Sequence, residues 1–191
     1  MVNAKRVSPK EVAEALRNGK VALVPTDTVV GLVAGEEGLY RLSGIKRRDP
    51  EKPVALLCAS AEQAFGRAEE VPLLAEKLAE LYWSGPLTLV LDRAGGGTVG
   101  VRVPDHPAVQ ALLSAYGEPL YATSANLSGE VAPAALDEVD PSVLDAVDLI
   151  LEGESGNGEA SAVVDFSGGG LQLLRPTEKL TRRTLRDLAE S

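Results

Sequence analysis

Apolar positions along this chain of 191 residues alternate between a helical spacing and short continuous runs, with proline or glycine at most of the changes. Ser8-Pro9-Lys10-Glu11 has the form of a capping box with proline at the first helical position, and the helix continues through Val12, Ala15 and Leu16. Gly19 is placed to end it. Val21-Ala22-Leu23-Val24 predicts a buried strand stopped by Pro25, and a helical turn is expected from Leu39 to Ile45. Pro53 to Cys58 reads as another buried strand, and Leu73, Leu74, Leu78, Leu81 and Tyr82 fit an amphipathic helix broken at Gly85-Pro86. Leu87 to Leu91 and Val99 to Val103 predict strands around a Gly95-Gly96-Gly97 turn. Pro107 opens a helix with Val109, Leu112 and Leu113 on one face, after which Leu120 to Thr123 leads into a small polar loop. Val147–Leu151, Ala162–Phe166 and Leu171–Leu174 are further strand candidates, the last two split by the hairpin signal Ser167-Gly168-Gly169-Gly170. Thr181 to Ala189 predicts a closing helix. No repeat or low-complexity linker interrupts the pattern, so one α/β domain over residues 1–191 is expected, built on a twisted, mostly mixed β-sheet flanked by helices.

Composition narrows the chemistry. The chain has one cysteine, Cys58, and one histidine, His106, which excludes an intrachain disulfide, a multi-cysteine metal site and a histidine cluster. Neither a signal peptide nor a run of about 18 apolar residues is visible, so a cytoplasmic protein without a membrane segment is expected. The net charge of −9 is unevenly spread: residues 103–174 carry twelve acids and no Lys or Arg, whereas residues 1–60 carry ten Lys or Arg against seven acids. A broad basic face for nucleic acid does not fit this distribution; a local basic pocket for a small polyanion does.

Five segments gather groups that carry chemistry. Pro25-Thr26-Asp27-Thr28-Val29-Val30-Gly31-Leu32 follows a strand and delivers hydroxyls and a carboxylate to a loop, as a ligand site or an ordinary turn. Lys46-Arg47-Arg48-Asp49-Pro50-Glu51-Lys52 sets four cations within seven residues, suited to phosphate but equally to a solvated loop. No Walker A pattern is present, so a phosphate site here would use side-chain cations. Arg102 lies inside an apolar alternating strand and needs an anionic partner, either a structural carboxylate or a bound anion. Thr123-Ser124-Ala125-Asn126-Leu127-Ser128-Gly129 presents short polar groups with little bulk, for a ligand or for a helix cap. Ser161 at a strand start and Arg175 at a strand end add a hydroxyl and a guanidinium. With no assignable Ser-His-Asp triad, this inventory suits binding a nucleotide beside a second small substrate and working by positioning and charge stabilisation.

The order of these segments resembles the YrdC/TsaC family from about Pro9 to Arg175. The resemblance rests on Pro25-Thr26-Asp27-Thr28 with Gly31-Leu32, Lys46-x-Arg48 with Lys52-Pro53, Gly85-Pro86-x-Thr88-Leu89, Val101-Arg102-Val103-Pro104, Thr123-Ser124-Ala125-Asn126-x-Ser128-Gly129, Ser161 with Asp165, and Leu174-Arg175. It implies an α/β fold around a positively charged cavity and a nucleotidyltransferase that makes threonylcarbamoyl-AMP and pyrophosphate from L-threonine, bicarbonate and ATP. Thr28, Arg102, Ser124 and Ser161 would contact threonine. Lys46, Arg48, Lys52, Thr98, Asn126 and Arg175 would contact ATP, with Lys46 and Arg48 carrying the catalytic charge. Mg²⁺ would arrive as Mg-ATP. A threonylcarbamoyl transferase complex would act downstream in tRNA modification, and a weak contact with RNA or tRNA is a further partner it allows. Other readings of the same resemblance are an RNA-binding module, a synthase acting on another carbamoyl acceptor, or a nucleotide-binding paralogue without synthesis. Four features depart from the family pattern: Val30 stands where Tyr is usual, Ala162 where Thr is common, Arg175 is followed by Pro176-Thr177 where Gly is common after one residue, and the segment between Gly31 and Lys46 is a few residues short.

Overall fold

A computed structural model describes residues 5–49, 54–156 and 158–190. In chain order the described residues form β1 (Lys5–Val7), α1 (Pro9–Arg17), β2 (Val21–Val24), β3 (Gly31–Ala34), α2 (Leu39–Ile45), β4 (Ala55–Leu57), α3 (Ala61–Phe65), α4 (Leu73–Tyr82), β5 (Leu87–Asp92), β6 (Thr98–Arg102), α5 (Pro107–Tyr116), β7 (Leu120–Ser124), α6 (Pro141–Ala146), β8 (Leu149–Leu151), β9 (Ala162–Asp165), β10 (Gln172–Arg175) and α7 (Arg182–Ala189). Local chemistry sets the helix ends. Ser8 N donates to the Glu11 carboxylate at 3.0 Å while Glu11 N donates back to Ser8 Oγ, which closes the expected capping box. At the far end of α5 the left-handed backbone of Gly117 (φ 86°) turns the chain into β7.

The strands join in one mixed sheet with the order β1-β8-β2-β3-β7-β4-β6-β5-β9-β10. β2 is buried at all four residues and lies between parallel β8 and antiparallel β3. β3 was expected to be loop as far as Leu32; instead Gly31 to Ala34 pair with both β2 and β7. The run is too short to show a period, and its strand character comes from its two neighbours. The short elements β1, α3 and α6 were not read from the apolar pattern, although Ser60 caps the start of α3 and Asp140-Pro141 the start of α6.

Side chains alternate between the two faces of the sheet. On one face Ala22, Val24, Val33, Leu57 and Leu120 pack under α1 and α5. On the other, Val21, Leu23, Leu32 and Ile150 meet α2 and α6, while Leu87, Leu89, Leu91, Val99 and Val101 meet α3, α4 and α7. Over β4, β6 and β5 and just before β9 the first face carries Ala55, Gly100, Thr88 and Ser161 beside Val90 and Val163. They line an open cavity rather than the underside of a helix.

Candidate active site

The cavity holds about 420 Å³ and is lined by Thr28, Arg48, Thr88, Thr98, Arg102, Ser124, Ser161 and Arg175, among others. Three guanidinium groups face it, and none of its described lining residues is a carboxylate. A larger recess of about 840 Å³ opens towards the opposite face, beside Leu56, Val99 and Tyr121. Its Arg67 is paired with Glu118 and its Tyr121 hydroxyl donates to Glu36, so it offers a less concentrated set of open donors.

Arg102 is 7% exposed and anchors the cavity wall. Of the two partners open to it, the carboxylate is the one found. Nη2 donates to Asp27 Oδ1 at 2.7 Å, Nη1 to Thr28 Oγ1 at 3.0 Å and Nε to the Gly85 carbonyl at 3.2 Å. A guanidinium has five N–H groups, so these three contacts leave one on each terminal nitrogen for a ligand. Burial lowers the pKa of Arg102 from the ordinary arginine value, and Asp27 opposes that shift. Asp27 Oδ2 is buried without a hydrogen-bond partner among the described residues.

The Thr26–Thr28 loop is also held from outside. Gly156 N donates to Thr26 O at 2.7 Å and Gly158 N to Thr28 O at 2.9 Å. A Cβ at Gly156 would run into the Asp27 carbonyl, so the close approach requires glycine. His106 lies outside the cavity lining: it occupies the N-cap position of α5 without a side-chain capping bond, and its Nε2 is 2.9 Å from Glu154 O.

Lys46 is 4% exposed and does not line the cavity. Its ammonium points at the loop after β7, donating to Ser124 O, to Asn126 O at 2.7 Å and to Asn126 Oδ1 at 3.3 Å. Asn126 is committed to the same loop, since its Nδ2 donates to Leu127 O at 2.9 Å and Glu130 O at 2.8 Å. The structure thus brings Thr28, Arg102, Ser124 and Ser161 together with Arg48, Thr98 and Arg175, and sets Lys46 and Asn126 behind them. Lys52 lies outside the described residues. Sequence reading placed Thr26, Asp27 and Thr88 in candidate segments but gave none of them a contact of its own, although Thr88 is 8% exposed and its hydroxyl is 2.9 Å from that of Ser161. A polar residue recurring on one face of otherwise aliphatic strands was the available signal.

Burial, and next the charge of Arg48, push the pKa of Lys46 down to about 8. Below that value the ammonium has three protons for three oxygens; above it the amine has two, and one tether of the loop is lost. We therefore expect kcat/KM to fall as pH rises through about 8, measured over roughly pH 6 to 10. A profile flat across that range would mean that the oxygens retain the proton against burial.

With this geometry in place, residues 14–177 match the model of the Sua5/YciO/YrdC family, described as Telomere recombination. The chain belongs to this family. It is 38% identical over 181 residues to the threonylcarbamoyl-AMP synthase of Vibrio cholerae, covering 87% of this chain and 95% of that one. It also superposes on the crystal structure of Pyrococcus abyssi Sua5 complexed with L-threonine, at 33% identity and a TM-score of 0.81. That match covers 91% of this chain but 56% of the Pyrococcus protein, so the chain spans little more than half of it. The Escherichia coli YciO structure shares the fold, with a TM-score of 0.79 at 23% identity. Two of the departures from the family pattern fall in core clusters: Val30 is 2% exposed among the residues under α2 and α6, and Ala162 is 1% exposed among those under α3, α4 and α7. Neither lines the cavity. No helix of the described residues is long and apolar enough to cross a membrane.

Proposed function

We propose that the chain is a threonylcarbamoyl-AMP synthase, condensing L-threonine, bicarbonate and ATP to threonylcarbamoyl-AMP and pyrophosphate. The observation that carries this reading is the convergence of Thr28, Arg102, Ser124, Ser161, Arg48, Thr98 and Arg175 on one 420 Å³ cavity. The Vibrio synthase and the L-threonine complex of Pyrococcus Sua5 support it. In this reading the threonine carboxylate takes the N–H groups left on Arg102, and Ser161 lies against the amino acid. Arg48, Arg175 and Thr98 receive the nucleotide, whose phosphates need donors and positive charge. Lys46 and Asn126 hold the Ser124 loop in register from behind. Lys52 is retained as a nucleotide contact on the family resemblance alone.

The chemistry asks for no covalent nucleophile from the protein. The threonine nitrogen gives its lone pair to the carbon of carbon dioxide, formed when bicarbonate takes up one proton and loses water. A C–O π pair moves to oxygen and the nitrogen releases a proton. The resulting carbamate oxygen attacks the α-phosphorus, and the bond to the leaving pyrophosphate breaks. Guanidinium groups around the phosphates would offset the charge that develops there. Among the described residues no group of three or more His, Cys, Asp or Glu is placed to hold a metal, and in this proposal Mg²⁺ enters on the phosphates of ATP. The product would pass to a threonylcarbamoyl transferase complex acting on tRNA in the cytoplasm.

Mass spectrometry of a reaction with ATP, Mg²⁺, bicarbonate and L-threonine tests the proposal. A threonylcarbamoyl-AMP mass that disappears without bicarbonate and is not matched by a serine control is expected. ATP binding with no threonine-dependent product would instead favour the non-synthesising paralogue or another acceptor.

A further inference from the structure

Residues 153–156, continued at Gly158, form a strap that crosses the Thr26–Thr28 loop from outside. Gly153, Glu154 and Gly156 are exposed, and beside them lies an open space of about 430 Å³ lined by Leu23, Pro25, Val30, Leu136 and Ile150. Apolar burial therefore contributes little to holding the strap. Hydrogen bonds hold it instead. Gly156 N and Gly158 N donate to the carbonyls of Thr26 and Thr28, the residues that flank Asp27. At the other end His106 Nε2 meets Glu154 O at 2.9 Å. A carbonyl brings no proton, so Nε2 is the donor. Nδ1 of the same ring is buried with no partner among the described residues. A Cβ on Gly153, whose φ is +148°, would lie 2.8 Å from Pro25 Cγ and 3.1 Å from His106 Cε1, so the backbone of the strap runs close against both rings.

An unpaired buried nitrogen costs stability, so a hydrocarbon ring would suit the packing at position 106 at least as well. What such a ring lacks is the N–H for Glu154. On the synthase reading proposed above, we infer that His106 is a positioning residue for the threonine side of the cavity. Its N–H fixes the strap, and the strap amides fix the carbonyls on either side of Asp27. The loop held in this way sets the Thr28 hydroxyl and the Asp27 carboxylate against Arg102. The nucleotide side does not hang on these contacts. Beyond the strap, the Ser161 carbonyl accepts from Arg175 Nε at 2.6 Å, which secures that end independently of His106, and Arg48 stands on a separate segment after α2.

Calorimetric titration of wild type, His106→Phe and His106→Gln with L-threonine and with ATP tests the inference. Phenylalanine keeps a ring but has no N–H, whereas the glutamine amide reaches about as far as Nε2 and restores a donor. His106→Phe should weaken L-threonine by about tenfold, the size of one hydrogen bond, and leave ATP affinity and Tm as in wild type. In steady-state kinetics its KM for L-threonine should rise by the same factor with kcat nearly unchanged, the signature of lost binding. His106→Gln should recover most of the L-threonine affinity. Equal losses for L-threonine and ATP, or a glutamine variant as weak as the phenylalanine one, would reduce His106 to packing and overturn the inference. Should His106→Phe not fold, amide hydrogen exchange of the wild type decides: L-threonine should slow exchange at Gly156 and Gly158, and equal exchange with and without it contradicts a strap that serves the amino acid. Failure of wild type to bind L-threonine at all would remove the synthase reading and this inference together, whereas a His106→Phe protein that binds L-threonine as wild type does removes only the inference.

Discussion

Lys46→Met should lower kcat/KM by about 100-fold, the order expected when a catalytic constellation is displaced by about 1 Å. Methionine fills the same buried volume but leaves Ser124 O, Asn126 O and Asn126 Oδ1 without the ammonium that gathers them. The loop after β7 then loses its anchor, and Ser124 moves in the cavity wall. Stability should respond far less. The stranded oxygens cost about 1–3 kcal/mol each, but the ammonium no longer has to be desolvated, and these terms oppose one another. A Tm within about 4 °C of wild type is therefore expected alongside the loss of activity. Lys46→Arg should not rescue, because a planar fork cannot aim three donors at oxygens that converge on one point. Steady-state kinetics with both substrates gives the decisive readout. Weaker L-threonine as well as weaker ATP places Lys46 behind the loop; a loss confined to ATP means that it leaves the loop to meet phosphate.

The placement of Lys46 also marks the limit of what sequence can supply. Its position in Lys46-x-Arg48 identified a cation of the site, and the capping box at Ser8, Gly19 just after α1 and the Gly95–Gly97 turn fixed element ends from residue type alone. Direction was not legible. Arg48 faces the cavity whereas Lys46, two residues earlier, turns towards Ser124 O, because α2 ends there. Nothing in the order of residues encodes a contact across 78 positions. The same holds for Asp27: its place in Pro25-Thr26-Asp27-Thr28 suggested a turn, and only the sheet brings it to Arg102, 75 residues away.

The site itself follows from what the helices leave bare. α1 and α5 cover the sheet where β2, β3 and the start of β7 offer Val and Leu. Further along the same face Ala55, Gly100, Thr88 and Ser161 offer little apolar area, so covering them with a helix would contribute little. One alternating pattern therefore positions a core on one side of β5 and β6 and a ligand wall on the other. In β6, Val99 and Val101 face the core while Gly100 and Arg102 face the cavity. Read as an alternation of size rather than of polarity, the sequence of these strands already marks the open face.

Arg102→Met should give the largest combined effect. It removes the guanidinium proposed to hold threonine and leaves the Asp27 carboxylate, whose side chain is 12% exposed, with no cation against it. Breaking a buried pair from one side costs about 3–5 kcal/mol. For a chain of this length that corresponds to a Tm lower by roughly 6–20 °C, with synthesis lost. Adding Asp27→Asn separates the two consequences. A neutral amide removes the stranded charge, so the Arg102→Met/Asp27→Asn protein should recover most of the lost Tm while adenylate formation stays absent. Thermal melts of the wild type, both single variants and the double variant give the coupling directly, and a product assay on the same samples gives the function. Full additivity of the two Tm shifts would mean that the 2.7 Å contact contributes little and that Arg102 is held by Thr28 and Gly85 instead. Recovery of both stability and synthesis in the double variant would remove Arg102 from the substrate site, because a cavity that works with neutral residues at both positions does not use that guanidinium to hold the amino acid.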